Sequence, residues 1–341
     1  DMNIEDKFQQ AYQKLKENIE KRSANQIYTA LGYTSNLDLI CDFRIDILNR
    51  LLAEHMQGKS LDEMQVSPMI HTVEELLETM VYYCMHGIGG EADVEDAELV
   101  KSCFPYINGM GGTAVQAALA LARFGGESLV HLTDNSKEVC DILLSPYIHV
   151  ALEDGSTGHT DRVEHVNPQE VHIIIQFKKG DVIRLGHQSA VIPCSNRLIL
   201  TKNTVNKYVP FWEPYFKWIE CNAGKVSSNV LSSFNSILDP MILRERLEYV
   251  KNHVSIYRQN NPEGVVYFED AHYHNEHVRE LCAEILYPCV DILSMNEEEL
   301  KYTLESRYNV KVDIDNIYSC IEGIDFLQKK FNFSKGIIVH T

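Results

Sequence analysis

Apolar and polar positions alternate most regularly in the last quarter of the chain. "VVYFED" (265–270) is a short apolar run rich in β-branched and aromatic residues, and it predicts a buried strand. "HNEHVRELCAEIL" (274–286) spaces its apolar residues as one face of a helix. "VDILSMN" (290–296) predicts a second strand, "EEELKYTLESRY" (297–308) a second helix, "IDNIYSCIEGIDFLQKKF" (314–331) a third helix and "GIIVHT" (336–341) a third strand. Strands alternating with helices at this spacing predict a mostly parallel sheet with helices on both faces. Functional groups in such sheets gather at the carboxyl ends of the strands, where Glu269, Asp270 and Asn296 fall.

Upstream the pattern changes. Residues 45–105 hold helical stretches around "ILNRLLAEHM" and "TVEELLETMVYYCMHG", followed by "GIGGEADVED". "EVHIIIQFKKGDVIRL" within residues 156–197 reads as a hairpin with its turn near Lys179-Gly180. A Gly-rich loop and helix at 108–124 separate these pieces in sequence, so the expectation is two domains. Residues 1–44, 106–155 and 197–341 would form the large α/β nucleotide-binding domain, and 45–105 with 156–196 a small α/β lid. The N-terminal "DMNIEDKFQQAYQKLKENIEKR" has the spacing of a charged amphipathic helix, not of a signal peptide.

With 341 residues, 45% of them hydrophobic and 23% charged, the chain can bury a large core. A net charge of -18 disfavours non-specific attraction to nucleic acid or anionic membrane, leaving a local basic pocket as the place for a phosphorylated ligand. No segment is apolar for long enough to span a membrane, which points to a cytoplasmic protein. Nine scattered cysteines without a C-x-x-C pattern suggest reduced, largely buried thiols.

Five stretches offer chemistry. Asn296 is a good N-cap, with Glu299 three residues on as in a capping box, yet the same residues follow a strand where hydrated Mg²⁺ beside phosphates would want carboxylates. Glu269 and Asp270 end the neighbouring strand, either as solvated caps or as metal-facing acids. Gly109, Gly111 and Gly112 in "NGMGGTAVQAALALARFGG" suit a tight turn, or a backbone approach to sugar hydroxyls or phosphate. Asn36 and Asp38 in "LGYTSNLDLICD" offer either an Asx turn or a carboxylate for two sugar hydroxyls. Lys178 and Lys179 sit in "FKKGD", and Arg197 in "SNRLIL" is placed as a phosphate fork. The His272, His274 and His277 cluster lacks the cysteines or HExxH arrangement of a zinc site and reads as a polar helix entrance.

Taken in order, "LGYTSNLDLI", "GIGGEADV", "NGMGGTAVQAALALARFG", "VHIIIQFKKGD", "SNRLILT", "VVYFED" and "CVDILSMNEEEL" resemble the ADP-dependent sugar kinases, the glucokinase and phosphofructokinase branch of the ribokinase-like superfamily. The resemblance implies a ribokinase-like fold and ADP-dependent, Mg²⁺-requiring phosphorylation of a hexose or hexose phosphate. It implies sugar and nucleotide as the partners. It puts Glu269, Asn296 and Glu299, through H-x-E and N-x-x-E signatures, at the Mg²⁺ site. Asn36, Asp38, Glu91, Gly111 and Gly112 would line the sugar site, with Arg197 near the transferred phosphate. Glu91 resembles a glucose-contacting acid, whereas Lys178 and Lys179 suit a sugar phosphate. Two departures stand out: Tyr267 replaces the histidine of H-x-E, and Thr113 stands where Asn or Gln is frequent.

The family's catalytic aspartate lies in a G-x-G-D type motif beyond the "VHT" strand, and the sequence stops at Thr341. No residue before that point is assigned as general base. Two expectations stand beside each other: a chain shorter than its gene, or a sugar- or nucleotide-binding protein without the chemistry. An ATP-dependent ribokinase-type enzyme is a third reading, less suited to the long insertions.

Overall fold

The computed structural model describes residues 3–273 and 275–340. In chain order the first elements are α1 (Ile4–Ala24), β1 (Tyr28–Leu31), β2 (Asn36–Cys41), α2 (Ile45–His55), β3 (Met69–Ile70), α3 (Val73–His86), β4 (Gly90–Val94), α4 (Ala97–Cys103) and β5 (Tyr106–Gly111). There follow α5 (Thr113–Arg123), β6 (Ser128–Val130), α6 (Lys137–Ile142), β7 (Ile148–Ala151), β8 (Thr157–Gly158), β9 (Val171–Phe177), β10 (Val182–Leu185), β11 (Gln188–Val191) and β12 (Asn196–Lys202). The last are α7 (Glu213–Cys221), β13 (Val226–Leu231), α8 (Pro240–Asn260), β14 (Val265–Glu269), α9 (Glu276–Leu286), β15 (Ile292–Asn296), α10 (Glu297–Tyr308), α11 (Ile317–Phe331) and β16 (Gly336–His340).

Two compact units divide these elements. The first takes the chain up to Ser35, Gly112–Asn167 and the chain from Val205 onward. Its sheet has the order β16-β15-β14-β13-β1-β6-β7-β8. Every pair from β16 to β7 is parallel, and β8 lies antiparallel at the edge. Parallel neighbours need a crossover, which α8 supplies between β13 and β14, α9 between β14 and β15, and α10 with α11 between β15 and β16. Val266, Phe268, Leu293 and Met295 from the strands share one buried cluster with Leu243 and Leu247 of α8 and Val278 and Leu281 of α9. Each such side chain contributes roughly 1.5–3 kcal/mol on burial, so this cluster holds the strand ends in place. No helix among the described residues is long and apolar enough to cross a membrane.

The second unit is Asn36–Gly111 with Pro168–Thr204. Its mixed sheet runs β3-β4-β12-β9-β2-β5, and β10 with β11 forms a separate hairpin. Alternation explains why these strands work together. Leu37, Leu39, Val171, Ile173, Ile175, Leu198 and Leu200 are buried on one face, while the residues between them point to the other.

Three expectations change here. "LGYTSNLDLICD" runs from one sheet to another, because its Leu31 ends β1 in the first unit while Asn36–Cys41 form β2 in the second, so Asn36 and Asp38 sit in a strand rather than in a turn. The glycines at 109 and 111 lie in strand β5, so only Gly112, with φ of +99°, makes the turn into α5. The hairpin falls one strand later than the Lys179-Gly180 turn: β9 is taken by β2 and β12 on its two edges, and β10 pairs with β11 across Gly186-His187. Gly186 has φ of +58°, the conformation the first loop position of a II′ turn favours. Residues 36–41, 106–111 and 196–202 consequently lie in the second unit's sheet, and 156–167 in the first unit.

Candidate ligand sites on the two units

Register places a set of polar residues on the partly exposed face of the second unit's sheet. Paired residues point the same way, so one row across the strands reads Asp93, Thr201, His172, Asp38, Gly109. The neighbouring row reads Glu91, Ile199, Ile174, Ile40, Ile107, and Asn36 pairs with Gly111 on the other side. Within this face Asn36 is the organiser: its Nδ2 donates to Asp38 Oδ1 at 2.7 Å and meets His172 Nδ1 at 3.2 Å. His172 Nδ1 lies 3.8 Å from Asp38 Oδ1. Burial raises the Asp38 carboxyl above its ordinary range, opposed by His172 and by the Asn36 hydrogen bond. Gly111 leaves the room for this arrangement, since a Cβ there would lie 2.1 Å from Asn36 Nδ2 and 2.3 Å from Asp38 Oδ1.

Other candidates share the face without joining that cluster. Three strand spacings, roughly 14 Å, separate the Glu91 strand from the Asp38 strand. Arg197 pairs with Gln176, four residues along β9 from His172. Lys178 and Lys179 follow directly after β9, with Lys179 N–H donating to Ser195 Oγ at 2.9 Å. Arg197, Lys178 and Lys179 are exposed and make no ion pair among the described residues. The acid–amide cluster thus lies at one end of the face, and cationic Arg197 lies toward the other, with Glu91 on the adjoining strand and Lys178 and Lys179 just beyond the end of β9.

In the first unit, Glu269 ends β14 and Asn296 ends the adjacent β15. Asn296 Oδ1 accepts the Glu299 N–H at 2.8 Å and Glu299 Oε2 accepts the Asn296 N–H at 2.9 Å, completing the capping box read from the sequence. Glu269 Oε2 accepts from the Tyr267 hydroxyl at 2.9 Å, and Oε1 lies 3.0 Å from His340 Nε2. Burial pushes the Tyr267 phenol up to about 12, and Glu269 adds to it, so Tyr267 is a neutral donor. Burial raises the Glu299 carboxyl; the Asn296 N–H opposes this, and the negative charges of Asp270 and Glu269 add to it. Two acids crowded in this way form a site of negative potential at the carboxyl end of the sheet.

Asp270 is neither a solvated cap nor a metal-facing acid. It is buried, and the hydroxyls of Tyr273 and Tyr287, each at 2.6 Å, occupy its two oxygens. His274 lies outside the described residues, and no group of three or more His, Cys, Asp or Glu fit to hold a metal directly occurs among the described ones. All nine cysteines are free; Cys41, Cys84, Cys140 and Cys282 are buried, while Cys194 and Cys221 are exposed. Sequence reasoning missed His172 and His340. The signal for His172 was its place on the polar side of the alternating "VHIIIQF" strand; His340, far from Glu269 in sequence, had none.

Residues 28–341 match the family model described as the ADP-specific phosphofructokinase/glucokinase conserved region. The chain belongs to that family. An ADP-specific phosphofructokinase of Thermococcus kodakarensis is 24% identical over an alignment of 308 positions that covers 86% of this chain and 66% of that protein. The chain thus spans slightly less than two thirds of that curated relative. The solved structure of the last common ancestor of ADP-dependent phosphofructokinases from Methanosarcinales matches with a TM-score of 0.78 at 20% identity, covering 99% of this chain and 74% of that one. An ADP-dependent kinase solved in complex with fructose-6-phosphate and ADPbetaS matches with a TM-score of 0.69 at 17% identity, covering 99% and 72%. These two likenesses are likenesses of fold, the α/β fold of those ADP-dependent kinases. Every candidate named above lies within the family match, and α1 lies before it.

Proposed function

We propose that this chain serves ADP-dependent phosphoryl transfer to a hexose or hexose phosphate, with fructose 6-phosphate or glucose as acceptor and Mg²⁺ as cofactor. Family membership supports the reaction class. The observation that carries the acceptor is the Asn36–Asp38–His172 cluster on a sheet face with cationic Arg197 toward its other end. Asn36 spends one amide hydrogen on Asp38 and the other on His172 Nδ1, which sets His172 with its proton on Nε2. The face then offers a carboxylate acceptor beside an imidazole donor, the pair a sugar hydroxyl needs. Arg197, Lys178 and Lys179 neutralise phosphate, Arg197 as a planar fork and the lysines as point charges.

The second set suits a hydrated divalent cation. Mg²⁺ takes one or two carboxylates and keeps several waters; Glu269 and Glu299 provide two acids, and among the described residues no group of three or more His, Cys, Asp or Glu fit to hold a metal directly is formed with them. Asn296 orients Glu299, and Tyr267 and His340 orient Glu269. Bound Mg²⁺ would neutralise the nucleotide phosphates.

Calorimetry with each ligand separately tests both assignments. Asp38→Ala should lose fructose 6-phosphate or glucose while keeping Mg·ADP, and Glu299→Gln should weaken Mg·ADP while keeping the sugar. Binding of neither ligand by the unsubstituted chain, or both variants acting on the same ligand, would overturn the proposal.

A further inference from the structure

The segment Pro168–Thr204 belongs to the second unit, and a buried acid ties its two ends together. Glu170, the third residue of the segment, is fully buried, and both its carboxylate oxygens accept the N–H of Thr204, the last residue, each at 2.9 Å. The Thr204 hydroxyl donates to Glu170 Oε1 as well. The Glu170 carbonyl in turn accepts the Leu37 N–H at 2.8 Å. Leu37 stands between Asn36 and Asp38 on β2, and His172 is two residues beyond Glu170 on β9. Val171 and Ile173 are buried on the apolar face, so alternation puts Glu170 and His172 together on the polar side, roughly 7 Å apart along the chain. One residue thus joins the two strands that build the Asn36–Asp38–His172 cluster.

We infer that Glu170 is a positioning residue for that cluster: its side chain, anchored on Thr204, fixes the start of β9, and its carbonyl fixes β2 at the Asn36–Asp38 pair. As a role in sugar binding, this rests on the sugar reading of the cluster given above. Thr204 offers two donors, an N–H and an O–H, and a carboxylate is all acceptor, so the match calls for an acid. Keeping an acid dry carries a desolvation cost, offset here by these bonds. Glutamine at this position keeps the shape but turns an NH₂ group toward one of the two donors. Residue 170 must then move to relieve the conflict, and the Leu37 bond and His172 move with it.

Glu170→Gln is to be compared with Thr204→Val, which removes only the hydroxyl, and with Thr204→Ser, which keeps both donors. The ring nitrogen resonances of His172, read by nuclear magnetic resonance without ligand, report the position of that ring directly. Glu170→Gln should shift them and weaken fructose 6-phosphate or glucose at least about tenfold in calorimetry, with Mg·ADP affinity unchanged. Thr204→Val should act in the same direction but less, and Thr204→Ser should match the unsubstituted protein. A lowered melting temperature with His172 resonances and sugar affinity unmoved would make Glu170 a structural acid only and overturn the inference. Equal weakening of sugar and Mg·ADP would overturn it too. If Glu170→Gln does not fold, Thr204→Val decides by the same readouts. If the unsubstituted chain binds neither sugar, the functional reading falls, while the His172 resonances still decide whether Glu170 sets that ring.

Discussion

Gly111→Ala is the smallest change that should disable the proposed sugar cluster. An added Cβ would lie 2.1 Å from Asn36 Nδ2, about 1.4 Å inside van der Waals contact, and 2.3 Å from Asp38 Oδ1. Asn36 is 3% exposed and tied to Asp38 and His172, so it cannot step aside without breaking those bonds. Overpacking of this kind typically costs about 1–3 kcal/mol of stability. A displacement near 1 Å in a positioning group costs on the order of 100-fold where alignment matters. Gly109→Ala is the internal control, because its Cβ would sit at an ordinary 3.5 Å from the Asp38 carbonyl and 3.6 Å from Asp38 Cβ. Melting curves, sugar titrations and the side-chain amide resonances of Asn36 should be compared for both variants. We expect Gly111→Ala to melt lower, to shift the Asn36 amide and to lose sugar affinity, with Gly109→Ala close to the unsubstituted protein. Equal behaviour of the two variants would refute the close-approach argument.

Asn296→Ala should cost about 1 kcal/mol in a denaturant titration, the usual price of a lost N-cap, whereas Glu299→Gln keeps an oxygen for the Asn296 N–H and should melt almost unchanged. Mg²⁺-dependent nucleotide binding should weaken as the pH falls, beginning above the ordinary glutamate range, because burial and the neighbouring acids raise the Glu299 carboxyl and a proton competes with the cation there. Loss only below that range in a calorimetric pH series would contradict it. Asp291 behaves oppositely: burial works to raise its carboxyl, but Ser334, the Val266 N–H and Arg258 together hold it below the ordinary value of 3.8. Its contribution is therefore present above that value and lost as the pH falls through the lower, folded-state value. The stability gap between the unsubstituted protein and Asp291→Asn should accordingly narrow in acid unfolding below about pH 3.8.

The segment from β14 to β16 was readable in sequence because its determinants are local. Each strand is a short, largely apolar run, a helical pattern follows β14 within seven residues and β15 at once, and the Asn296–Glu299 box closes within three residues. The second unit was not, since its sheet is assembled from segments far apart in the chain. Nothing local states that "VHIIIQF" will be claimed on both edges by β2 and β12, and so the nearest turn signal was given the hairpin. His172 became visible only when register set it beside Asp38. Asp270 carries the same charge as Glu269, yet only packing could show that two tyrosine hydroxyls bury it as a structural acid.

The most direct test of the account is a titration of isotope-labelled chain with fructose 6-phosphate, and separately with glucose, followed by nuclear magnetic resonance. The account predicts saturable shifts centred on Asn36, Asp38, Gly111 and His172, with Arg197 and Lys178 joining for the phosphorylated sugar. Shifts confined to other residues, or no saturable shift with either sugar, would contradict it.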